Sequence, residues 1–375
     1  MEKTSFQTPA TANERAADLD SRIEAYISRT DPTDAEFDQL SLELFVYQYE
    51  NNAPYRNLCD QQGSTPANVT AWQEAPALSA ASFGDARIAC FPEERTSVTF
   101  VSSGTTRAGG SRSVHELENT RLYDASLLAH FRRSVLPDLD RIRMVFLSPP
   151  FAQAPQSSLA YMLSKMYSTC GSGGGFFIKN DTLNVEGIAL ALRESHEPLL
   201  LFGTAFAFVH FLDHCSATEL RFSLPRGSRI VETGGFKGKS RSVDREDLYD
   251  MLTRTFGVGR DMCIAEYGMC ELGSQWYDAS LSDSLAGRTP REQIKVGPHW
   301  VRTLVVDPVT ARELPPGSTG LLQVFDLSNR GSVAAVLTGD LVVQAEGGFV
   351  YVGRSNAAPP KGCSITVDSM LNARD

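Results

Sequence analysis

From about residue 97 onward, short β-branched runs alternate with stretches carrying apolar residues at helical spacing, and this alternation constrains the fold most. The runs lie at 97–101, 144–147, 176–178, 199–202, 229–231 and 263–265. Between them Leu159, Leu163 and Met166, or Leu248, Leu252 and Phe256, mark amphipathic helices. Strands separated by helices cannot be joined by tight hairpins, so the sheet is expected to be largely parallel and covered on both faces.

The two ends of the chain read differently. Leu19, Ile23 and Ile27 are spaced four apart, and Asp34 opens a second segment carrying Phe37, Leu40, Leu44 and Tyr47. Residues 1–90 are therefore expected to be a helical region packed on the body, with Met1 to Arg15 polar and frayed. After Gly297, runs at 301–306, 321–325, 333–337, 341–344 and 349–352 are separated by Pro315-Pro316-Gly317 and Gly347-Gly348. Turn signals at that spacing imply mostly antiparallel structure. The expected division is 1–90, an α/β core over 91–296, and a β-rich portion with a cysteine-containing tail over 297–375.

Composition narrows the function classes. Of 375 residues 42% are hydrophobic and 21% charged, a globular balance. The run Pro198-Leu199-Leu200-Leu201-Phe202 is among the longest apolar stretches, far too short to span a bilayer. A net charge of −10 disfavours nonspecific nucleic-acid binding. Seven cysteines without a CxxC pair argue against a disulfide framework or zinc site and for a reducing cytoplasm.

Four segments carry chemistry. Val101-Ser102-Ser103-Gly104-Thr105-Thr106 leaves a strand with hydroxyls and flexible backbone suited to wrapping phosphate oxygens. It lacks the GxxxxGK[ST] pattern of the usual nucleotide loop. Val231-Glu232-Thr233-Gly234-Gly235 also follows a strand, and paired glycines let a flat ligand lie against bare backbone. In Glu266-Tyr267-Gly268-Met269-Cys270-Glu271, Tyr267 is placed to stack on a base and Glu271 to hold Mg²⁺. In Thr338-Gly339-Asp340, an Asp read as lying at a tight turn suits two ribose hydroxyls, and Arg354 follows in Gly353-Arg354 to meet a phosphate. Each segment alone is also compatible with an ordinary turn.

Taken in order, these segments resemble the adenylate-forming superfamily of acyl-CoA synthetases and luciferases, from about residue 97 to 363. ETGGFKGKSR with EYGMCELGSQWYD further resembles the LuxE-type acyl-protein synthetase family. The resemblance implies the large N-terminal α/β domain of adenylate-forming enzymes. It also implies ATP and Mg²⁺ as cofactors, a carboxylic acid substrate, by family a fatty acid, and an acyl reductase protein partner. By the same resemblance Ser102, Ser103, Gly104, Thr105 and Thr106 hold the ATP phosphates, and Thr233, Gly234 and Gly235 border the adenine. Tyr267, Gly268 and Met269 line adenine and acyl carbonyl, Glu271 takes Mg²⁺, Asp340 binds ribose and Arg354 steadies the phosphates.

Three departures stand out. Arg107 occupies a place usually held by glycine, and Cys270 replaces the usual threonine. Only twenty-one residues follow Arg354, too few for the mobile C-terminal domain of larger relatives. Within that tail lies Lys361-Gly362-Cys363-Ser364, where the family is expected to carry its acyl-accepting cysteine; a nearby ammonium favours thiolate. Cys270 is the competing nucleophile, and the other five cysteines read as core or loop residues. His210 and His214 read as structural, while His115, just past the phosphate loop, is a better functional candidate. The expected reaction is activation to acyl-AMP followed by transfer to Cys363. An acyl- or aryl-CoA ligase and a non-catalytic adenylate-fold binding subunit remain as alternatives.

Overall fold

The structure, a computed structural model, describes residues 11–102, 112–234 and 243–355. Helices α1 (Ala12–Ile27) and α2 (Asp34–Asn51) each begin with a capping box, Thr11 with Glu14 and Thr33 with Glu36. Each cap satisfies first-turn N–H groups otherwise left unpaired and is worth about 1 kcal/mol. Asn52 caps α3 (Ala53–Gln62), which Gly63 ends in the left-handed conformation, at φ 69°. Leu19, Ile23, Phe37, Leu44 and Tyr55 of these helices are buried in one cluster with Val324, Phe325 and Val336. A short strand, β1 (Leu78–Ser79), follows.

Next come β2 (Val98–Val101), β3 (Val114–Leu117), α4 (Arg121–Val135), β4 (Ile142–Leu147), α5 (Ser158–Cys170) and β5 (Gly171–Phe176). The small pair β6 (Ile178–Lys179) and β7 (Thr182–Leu183) leads to α6 (Val185–Arg193), β8 (Leu199–Thr204) and α7 (Ala205–Ala217). Then follow β9 (Arg229–Thr233), α8 (Arg245–Phe256) and β10 (Cys263–Tyr267). Strands β5, β4, β8, β9 and β10 lie side by side in parallel. Their side chains alternate between two apolar layers. Met144, Phe146, Leu200 and Phe202 pack toward α4 and α5, and Val145, Leu147, Leu199 and Leu201 toward α6, α7 and α8. Because both faces are covered, the central strand β8 opens as a continuous apolar run, Leu199 to Phe202.

Beyond β10 the sheet turns antiparallel. It continues through β11 (Trp276–Asp278), then past the short helix α9 (Ser280–Leu285) to β12 (Ile294–Val296). Strands β13 (Val301–Val306), β14 (Thr319–Asp326), β15 (Ala335–Ala345) and β16 (Gly348–Arg354) complete it, in the order β12-β16-β15-β14-β13. Among the described residues this is one twelve-stranded sheet, counting β1 on β15.

The α/β class agrees with the sequence reading, and four local expectations are corrected. Residues 97–101 are not part of the parallel sheet: β2 pairs antiparallel with β3 as a separate hairpin, its buried Phe100 seated on Tyr123 and Tyr161. The strand expected at 176–178 is instead the glycine run of β5. A Cβ at Gly174 would sit 1.9 Å from the Met144 carbonyl oxygen, so close approach to β4 removes the side-chain signal. Runs 333–337 and 341–344 form one strand, β15, irregular beside Gly339 at φ 77°; Asp340 thus lies within a strand and not at a tight turn. Finally, the segment expected to fray is already helical from Ala12, because Thr11 caps it.

Candidate active site

Three of the four segments singled out in the sequence converge, in their described residues, where the parallel strands end and the antiparallel ones begin. Thr233 and Glu266 are register partners at the ends of β9 and β10. Thr233 Oγ1 donates to Glu266 Oε2. Gly234 follows at φ 68°, a backbone conformation that favours glycine. Tyr267 ends β10, its ring packed among Trp276, Phe349 and Tyr351. Its hydroxyl donates to Asp340 Oδ2 at 2.9 Å and lies 3.6 Å from Met269 Sδ. Burial and the adjoining Asp340 carboxylate push the Tyr267 phenol well up, so it stays a donor. Asp340 and Arg354 are register partners across β15 and β16, with Arg354 Nε 3.8 Å from Asp340 Oδ1. The Gly-Asp and Gly-Arg motifs are therefore a single cross-strand feature.

The segment after Tyr267 is held by main-chain clamps. The Cys270 carbonyl accepts from His115 Nδ1 at 2.6 Å, and the Glu271 carbonyl accepts from Asn329 Nδ2 at 2.9 Å. Gly273 N donates to Asp326 Oδ2 at 3.1 Å, and Ser274 Oγ to Asp326 Oδ1 at 2.9 Å. A carbonyl can only accept, so His115 carries its proton on Nδ1 and Nε2 accepts from Ser332 Oγ at 3.1 Å. Burial pushes His115 down to about 4, which keeps this neutral form. The carboxylate of Glu271, a residue only 3% exposed, has no hydrogen-bond partner among the described residues.

The 326–332 connection is anchored in turn. Gln48 of α2 donates to the Asn329 carbonyl at 2.9 Å and accepts from Ala334 N at 2.9 Å. Asn52 donates to the Ser332 carbonyl. Buried Arg330 pairs with Asp20 at 2.7 Å and with Glu118 at 3.1 Å. Helices α1 and α2 thus reach the site through one loop.

Two buried carboxyls flank the strand ends on opposite faces. Glu266 shares the α4–α5 face with Val231, Ile264 and Tyr277, and burial pushes it up to about 7. Glu232, on the α8 face, is also raised to about 7 by burial, with Lys295 and Arg245 opposing. There Asp278 binds Lys295, Arg245 and the Ala265 N–H.

Of the expected site residues, Thr233, Gly234, Tyr267, Gly268, Met269, Glu271, Asp340 and Arg354 fall in this region. Ser102 is half-buried, its hydroxyl accepting from Ser113 N at 3.0 Å to close the β2–β3 hairpin. Ser103, Gly104, Thr105, Thr106, Arg107, Gly235 and Cys363 lie outside the described residues. The six described cysteines are buried, Cys270 included. His214 stacks on Phe211, and His210 is exposed. Glu266, Asp326, Asn329 and Ser332 were not found from sequence. Glu266 did leave a signal, a carboxylate in an otherwise apolar strand; Asn329 left none. Among the described residues no helix is long and apolar enough to cross a membrane.

Comparison with known proteins gives this geometry its context. The chain is 24% identical to the long-chain-fatty-acid–luciferin-component ligase of Aliivibrio fischeri, over 94% of each protein. It is 23% identical to the ligase of the same name from Vibrio harveyi, over 88% of this chain and 87% of that one. In fold it resembles an open conformation of 2-hydroxyisobutyryl-CoA ligase in complex with 2-HIB-AMP and CoA. That match has a TM-score of 0.63 at 14% identity, over 96% of this chain and 83% of that one. It also resembles ATP-bound MatB from Rhodopseudomonas palustris, with a TM-score of 0.52 at 17% identity. The latter match covers 69% of this chain and spans about half of MatB, 48%. The family model for LuxE, acyl-protein synthetase, matches residues 19–372, and with that the chain belongs to the LuxE family of acyl-protein synthetases.

Proposed function

We propose that this chain activates a fatty acid with ATP and passes the acyl group to its own Cys363 for delivery to a reductase partner. A carboxylate oxygen attacks the α-phosphorus, forming acyl-AMP as pyrophosphate leaves. The Cys363 thiolate then attacks the acyl carbon, forming a thioester as AMP leaves. The observation that carries the reading is the convergence of Tyr267, Asp340 and Arg354, joined by a 2.9 Å hydrogen bond and a cross-strand pair. Asp340 is positioned to accept from ribose hydroxyls beside the Tyr267 ring, and Arg354, half-exposed, to meet phosphate. Thr233 and Gly234 border the adenine. Gly268 lies against Glu266, where a Cβ would come within 2.6 Å of Oε1.

The unpartnered Glu271 carboxylate fits a hard cation, and Glu271 is the residue assigned to Mg²⁺. The ion supplies neutralisation of phosphate charge. Ser102, Ser103, Gly104, Thr105 and Thr106 complete the phosphate side, and Gly235 the adenine side.

The test is acid-dependent ATP–pyrophosphate exchange across fatty and aryl acids, on the wild type and Cys363→Ser. The expected result is exchange by both proteins, with labelled acyl-protein formed only by the wild type. Absence of exchange with every acid rejects acid activation by this chain. Undiminished CoA-dependent turnover by Cys363→Ser makes CoA the acceptor instead.

A further inference from the structure

The geometry around Glu271 assigns two positioning residues: we propose that His115 and Asn329 aim the Glu271 carboxylate by fixing the peptide planes on either side of its Cα. The inference rests on the reading of Glu271 as the Mg²⁺ residue. His115 Nδ1 holds the carbonyl before Glu271 at 2.6 Å, and Asn329 Nδ2 holds the carbonyl after it at 2.9 Å. With both planes pinned, φ and ψ of Glu271 cannot drift, and the Cα–Cβ bond has one direction.

Neither clamp is itself loose. His115 is 1% exposed and braced by Ser332 Oγ and the Phe83 ring. Asn329 is held through its own carbonyl by Gln48, and its amide also donates to the Val333 carbonyl at 3.2 Å. Two residues on, Gly273 is fixed by Asp326, and a Cβ there would meet Ser328 Oγ at 2.4 Å. The carboxylate is thereby positioned with neither of its own oxygens taken up by a hydrogen bond among the described residues, which leaves them for a cation. Outer-shell partners of a metal ligand are typically worth about 10–100-fold in metal affinity.

His115 also lies on β3, the strand that returns from the phosphate segment after β2. The hydrogen bond to Cys270 therefore ties that hairpin to the Glu271 segment.

The test measures metal binding without turnover, by the EPR signal of free Mn²⁺ in the presence of α,β-methylene-ATP, which cannot transfer its adenylyl group. Asn329→Ala and His115→Ala are each expected to weaken Mn²⁺ binding about tenfold or more. His115→Asn is expected to restore it, because its amide nitrogen takes the place of Nδ1. Leu212→Ala, a core change on the α7 side, controls for lost stability and is expected to leave Mn²⁺ affinity unmoved. Binding lost in Glu271→Gln but unchanged in both alanine variants overturns the positioning role. Equal Mn²⁺ binding by Glu271→Gln and wild type overturns the underlying reading of Glu271, and the inference with it. Two separate residues on two elements keep the test decisive if one variant does not fold.

Discussion

The carboxyl groups of Asp326 and Glu266 are both buried beside the same site and behave differently. Asp326, fully buried, accepts from the Gly273 and Ser328 N–H groups and from the Ser274 and Ser328 hydroxyls. Burial raises it, but these donors oppose the shift. Glu266 has one hydrogen-bond partner among the described residues, Thr233, and burial carries it up to about 7. The lesson is that donor supply, not depth, separates an anchor from a titrating group. Asp326 is a fixed hub that shapes the 267–274 segment; Glu266 changes charge near neutrality.

The largest expected effect breaks the anchor. Asp326→Ala leaves four buried donors without their acceptor and should cost about 3–5 kcal/mol, read by denaturant unfolding. A loss under about 1 kcal/mol would mean that water replaces the carboxylate, and the contrast with Glu266 would fail.

The second concerns pH. Folded Glu266 keeps its proton up to about 7, while the ordinary value is 4.5. Between those values the folded chain binds more protons than the unfolded one, so this group's contribution to stability falls as pH rises. The slope is at most about 1.4 kcal/mol per pH unit for one group. Glu232, raised to about 7 as well, contributes a similar share. Buried His115 and His130, pushed down to about 4 and about 3, contribute the opposite slope up to about pH 6.5 in wild type and variant alike. Glu266→Gln should therefore make the slope of stability against pH between 4.5 and 7 more positive than in the wild type by up to about 1.4 kcal/mol per unit, seen in unfolding curves across that range. An unchanged slope would place Glu266 outside the titrating set.

The smallest is Thr233→Val, which removes the one hydroxyl that opposes the rise of Glu266. It should cost about 1 kcal/mol at pH 8 and less at pH 5, where Glu266 is protonated in either protein. An equal loss at both values would assign the cost to packing alone.

Much of this was readable from local pattern. Residues 199–202 and 230–231 are apolar because both faces of their strands are covered, and apolar runs between helical stretches report that directly. Thr33, Asp34 and Glu36 announce α2 because a capping box is a contact between near neighbours. Where the reading failed, side-chain signal was missing or local rules gave two answers. The glycines of β5 carry no apolar side chain, and Gly339 marks either a turn or an irregular strand. Within the site, Tyr267 and Asp340 were each named from motif.

By itself the sequence determined the α/β class, the order of the motifs and membership in a family, since these depend on residue type and on spacing along the chain. Only the tertiary structure decided that Asp340 and Arg354 face each other across β15 and β16, and that Tyr267 bonds to Asp340. It alone decided that Asn329, His115 and Asp326 hold the segment around Glu271. Those partners are 58, 155 and 53 residues apart in sequence. Hydrogen bonds closed over such distances follow from how the sheet stacks its strands, and periodicity carries no trace of them.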